Sequence, residues 1–159
     1  MNKTQKKHLR AGAHAAHVAL QIRSVARDLM VYETPSKKSP GMVPHVEFNF
    51  NERLRPHIET LYGAAGYRSL LSRALVQADA EVPWLRRMHM KSDGSLDGFE
   101  AAKAKLGSEE ILEGKVALLS QLLGSLVAYV GPGLARRLVS EVWPKIPLGS
   151  LDSDRRSAG

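Results

Sequence analysis

Apolar residues recur along much of the chain at a helical spacing. Ala11, Ala15, Val18, Ile22, Val25 and Leu29 follow alternating steps of four and three, which place them on one helix face. Arg10, His14, His17, Gln21, Ser24 and Asp28 form a second, polar stripe with the same period. An amphipathic helix is therefore predicted from about Gln5 to Val31. Pro35, Pro40, Gly41 and Pro44 with a Ser/Lys cluster make 33–48 a long Pro-rich loop, and the alternation of Val46, Phe48 and Phe50 suggests a short extended segment. A second helix follows, with Asn49 or Asn51 as its cap and Glu52 in the capping-box place. Gly63 and Gly66 bracket a break. Tyr67, Leu70, Leu71, Ala74, Leu75 and Ala78 define a third helix, which ends before Pro83.

After Trp84 and Leu85 the turn signals Asp93-Gly94 and Asp97-Gly98 predict an irregular stretch, then a short helix over 99–106. Ser108 is the expected cap of the longest helix, with Glu109 and Glu110 where the helix dipole favours acids. Leu112, Val116, Leu119, Leu123, Leu126 and Val130 form its apolar stripe. Gly131-Pro132-Gly133 ends it, and Leu134, Leu138, Val142 and Trp143 mark a last helix stopped by Pro144. The fold class is all-α: a compact bundle of about five helices, one domain over 1–148, with 149–159 as a disordered tail.

Composition narrows the chemistry more than the fold. With 159 residues, 43% hydrophobic and 25% charged, the chain has material for a core without staples. It has no cysteine, which removes disulfides, thiolate metal sites and thiol catalysis. The net charge is +7. It concentrates in residues 1–40, where eight basic residues face two acidic ones. Such asymmetry favours contact with nucleic acid, anionic lipid or an acidic partner. The first 27 residues lack acids but are poor in Ser, and His14 and His17 interrupt their only apolar run. They read as a mature N-terminus in the cytoplasm rather than a targeting peptide. Residues 116–135 carry no charge, but Ser120, Gln121, Ser125, the glycines and Pro132 make a buried bundle helix the better expectation than a membrane span. An apolar surplus on 111–130 would serve a homodimer.

Residues 58–75 resemble the helix-turn-helix of lac-repressor-type regulators in Ile58, Leu61, Ala65-Gly66 at the turn, then Ser72-Arg73 and Leu75. The resemblance covers 18 of the 159 residues. It implies a recognition helix presenting Arg68 and Arg73 to a DNA groove, with Lys6, Lys7 and Arg10 as basic support. The pattern departs at Tyr62, where the first helix calls for a small residue, and at Ser72, where the second calls for a buried aliphatic one. Asp93 to Gly98 similarly resembles the opening of an EF-hand loop, but its twelfth place is Ala104 rather than Glu.

No esterase elbow, zincin motif, P-loop or dinucleotide fingerprint occurs, and His45-x-Glu47 lacks the cysteine half of a deaminase signature. His14 and His17 stand three apart on the polar stripe without a nearby carboxylate, so no metal and no cofactor is assigned. The expected function is a non-enzymatic protein-interaction or regulatory module, with His14, His17 and Gln21 on its contact surface. The alternatives are a DNA-binding regulator and phosphotransfer through His17.

Overall fold

The structure, a computed structural model, describes residues 21–32 and 49–144. Of these residues 83% are helical. The expectations for the helix start, the loop 33–48 and the tail 149–159 lie outside them.

Residues 21–32 form α1, and Ile22, Val25, Ala26, Leu29 and Met30 are buried along one face. α2 spans Asn49–Glu81. The anticipated second and third helices are its two halves, joined at Gly63 (φ 75°, ψ 174°) with no intervening loop. Only this one residue leaves helical geometry, and the left-handed φ suits glycine. Gly66, the turn residue of the regulator-like pattern, is helical. Phe50, Leu54 and Ile58 are buried before the kink, and Tyr67, Leu70, Leu71, Ala74 and Ala78 after it. Pro56 lies within the first half, where it withholds a backbone donor. Thr60 Oγ1 donates to the Pro56 carbonyl at 2.8 Å.

A 3₁₀ turn, Pro83–Arg87, leads to a minimal antiparallel hairpin, β1 His89–Met90 and β2 Leu96–Asp97, with His89 opposite Asp97 and Met90 opposite Leu96. The EF-hand-like loop forms its tip. Asp93 Oδ1 accepts from the Ser95 backbone N–H at 2.9 Å and the Ser95 hydroxyl at 2.6 Å, and these bonds hold the Asp93 carboxyl below its usual range. The short helix α3, Phe99–Lys103, follows.

α4 spans Ser108–Val142 and is kinked once, at Gly131 (φ 84°, ψ 162°). Pro132 follows the kink at the start of the continuing helix, where its missing N–H does least harm. The expected cap at Ser108 is corrected: Gly107 is the cap residue, and no side chain bonds the exposed amides. Val116 to Leu119, Leu122, Leu123 and Leu126 are buried. By length and composition this helix could cross a membrane, and 56% of its apolar window is buried within the fold.

α2 and α4 run antiparallel, as the order of their contacts shows. His57 Nδ1 lies 3.2 Å from Glu141 Oε2, Tyr62 meets Tyr129, and Glu81 accepts from Gln121 Nε2 at 3.2 Å. Glu81 also pairs with Arg23 Nη1 of α1 at 2.7 Å, so one carboxylate ties three helices. Both partners are about two-fifths exposed, so the pair fixes register more than it stabilises.

Candidate functional site

The second half of α2 places Ala65, Arg68, Ser69, Ser72, Arg73, Val76 and Gln77 on the face opposite its core stripe. These steps of three and four are the helical repeat on the outward side. Together with Met90 of the hairpin they line an open groove. Ser69, Ser72, Arg73 and Gln77 are exposed, Arg68 is half-buried, and Val76 is 65% exposed.

Ion pairing separates these two arginines from several others. Arg55 pairs with Glu59 at 2.9 Å, Arg86 with Asp79 at 3.3 Å, and Arg137 with Glu141 at 3.9 Å. Neither Arg68 nor Arg73 has a carboxylate within 4.0 Å among the described residues, and no acidic side chain lines the groove. Two guanidiniums flanked by two serine hydroxyls and one amide suit an acidic or phosphate-bearing surface.

Adjoining the groove is a cavity of about 290 Å³, lined by Tyr62, Gly66, Ser69, Leu70, Arg73 and Tyr129. Tyr62 and Tyr129, which immediately precede and nearly precede the two kinks, meet edge to face with ring centroids 6.2 Å apart. Ser69 and Arg73 line both spaces.

The hairpin that completes the groove is held by a second cluster. Arg55 Nη2 donates to the Asp93 carbonyl, its Nε donates to Glu59, and its guanidinium lies 5.0 Å from the Tyr67 ring centroid. The Glu59 bond raises the Arg55 pKa above its ordinary value. Tyr67 is fully buried and donates to the Asn51 carbonyl at 3.3 Å, and burial pushes its pKa up to about 12. Asn51 Oδ1 is buried without a hydrogen-bond partner.

No family model, curated protein or solved structure matches the chain.

Of the residues singled out from sequence, Arg68 and Arg73 fall in one groove. Gln21, half-buried on α1, is already engaged. Lys6, Lys7, Arg10, His14 and His17 lie outside the described residues. Among the described residues, no group of three or more His, Asp or Glu is placed to hold a metal ion. Sequence reasoning missed Val76 and Met90 as groove residues and Tyr129 as a cavity wall. The signal for Val76 was present: an aliphatic residue eight positions after Arg68, on the polar side of the helix.

Proposed function

We propose that the chain is a non-enzymatic interaction or regulatory module acting in the cytoplasm, and that the outward face of α2 is its docking surface. The observation that carries this is the pairing state of Arg68 and Arg73. Two exposed or half-exposed arginines, without an ion pair among the described residues and sharing one groove, keep their charge available to a partner. The expected partner is an acidic protein surface, with Val76 supplying apolar contact beside the charged pair. The rest of the proposal is architectural: one domain over 1–148, a bundle of about five helices, and a homodimer through 111–130. That dimer would use the outward strip of α4, since most of the helix's large apolar side chains are buried in its own core.

Co-purification under native conditions tests the docking face. Wild-type protein should retain a polypeptide that Arg68→Glu/Arg73→Glu loses and Arg137→Glu keeps. Retention by the groove variant would overturn the assignment.

DNA binding is a second reading, favoured by Ser69, Ser72 and Gln77 standing beside the arginines on the same helix face. These side chains bond base edges as well as phosphates. Under it, a mixed-sequence duplex binds tightly at low salt, affinity falls steeply with added salt, and Arg73→Ala weakens it. Phosphotransfer through His17 rests on the sequence alone.

A further inference from the structure

The cavity between the two kinks has a shape and lining that the docking face does not need. Its volume, about 290 Å³, is at the small end of ligand pockets, which run from roughly 300 to 1,000 Å³. Its apolar lining is Leu70, the bare backbone at Gly66 and the rings of Tyr62 and Tyr129. The polar groups that remain are the Ser69 hydroxyl, the tyrosine hydroxyls and the Arg73 guanidinium. Among the described residues no carboxylate lines it, so a cation would meet an uncompensated arginine. An inorganic anion would satisfy Arg73 but leave the apolar lining wetted. The chemistry that uses the whole lining is an apolar, compact body with one negative charge.

Aromatic character follows from the two rings. Tyr62 and Tyr129 present one ring edge and one ring face at 63° to each other, so a flat ring laid in their angle stacks on one and meets the other edge-on. Tyr129 is 60% exposed, and an occupant of the cavity would cover part of its ring.

We propose that this cavity binds a small aromatic carboxylate, its ring against Tyr62 and Tyr129 and its carboxylate on Arg73. The site is independent of the docking reading except that Ser69 and Arg73 belong to both.

Calorimetric titration of the full chain with 2-naphthoate and with the neutral 2-naphthylmethanol tests it. The proposal expects saturable 1:1 binding of 2-naphthoate, about tenfold or more tighter than the neutral analogue, the margin of one charge-assisted pair. Arg73→Met should erase that margin, and Tyr129→Ala should weaken both ligands. Both side chains are exposed, so the variants should fold, which thermal unfolding checks. Absence of saturable binding, equal affinity for the two ligands, or an unchanged margin in Arg73→Met would each overturn it. These outcomes do not bear on the co-purified polypeptide, so this proposal and the docking reading fail separately.

Discussion

The Cβ of Tyr62 lies 2.4 Å from the place that a Cβ on Gly66 would occupy. In a continuous helix residues four apart do not approach so closely. They do so here because the left-handed Gly63 between them folds the first half of α2 back against the second. Gly63 supplies the conformation, and Gly66 supplies the room. Replacing Gly66 by Ala in an ordinary helix interior would gain about 1 kcal/mol of helix propensity. At this position the added methyl meets the rigid base of a side chain, and such overpacking costs about 1–3 kcal/mol. Gly66→Ala is therefore expected to lower the stability measured by urea unfolding, and a rise of about 1 kcal/mol would show that the kink is not held this tightly.

Gly114 and Trp84 make the corresponding contact between α4 and the 3₁₀ turn. A Cβ at position 114 would sit 2.1 Å from Cζ2 of the indole, while Nε1 of the same ring donates to the Glu110 carbonyl at 3.0 Å. The ring is thus pinned on one side and crowded on the other. Gly114→Ala should cost more than Gly66→Ala, because it adds overpacking to the loss of a hydrogen bond worth about 0.5–1.5 kcal/mol. Trp84→Leu removes the obstacle, so the double variant should be markedly more stable than the two single losses added together. Strict additivity in a double-mutant cycle would refute the contact.

Tyr67 links stability to alkaline pH. Burial raises its folded pKa to about 12, above the ordinary 10.0. Between these values the unfolded chain loses the phenolic proton while the folded chain keeps it. Stability from the neutral phenol is thus complete below pH 10 and falls as pH rises towards 12. The expected loss is about 2–3 kcal/mol across that window. Tyr67→Phe should be less stable at neutral pH, where it lacks the bond to Asn51, and should show a shallower decline above pH 10. An equally steep decline in the variant would assign the pH dependence to other groups.

How much of this was legible along the chain depends on the range of each contact. The stripes of Ile22, Val25 and Leu29, of Tyr67 to Ala78, and of Val116 to Leu126 are helical repeats, and their burial follows from local spacing. Arg68 and Arg73 lie on the opposite side of such a stripe, so their exposure could also be anticipated. That Gly63 rather than Gly66 would carry the positive φ could not, because both glycines permit it by residue type. The hairpin was similarly hidden. Its strands are two residues long, too short for alternation to register, and it is held by Arg55 from a helix almost forty positions earlier. Ser108 looked like a cap because caps are read from residue type, whereas Gly107 holds the extended conformation that the cap position requires.

The most direct test of the docking face is site-specific photocrosslinking in the living cell. A benzophenone side chain placed at Val76, in the groove, is compared with one at Glu100, an exposed position on α3. One discrete adduct of defined mass is expected from position 76, none of that mass from position 100, and its loss when Arg68 and Arg73 are both changed to Glu. No adduct from position 76, or the same adduct from both positions and insensitive to the arginines, would contradict it.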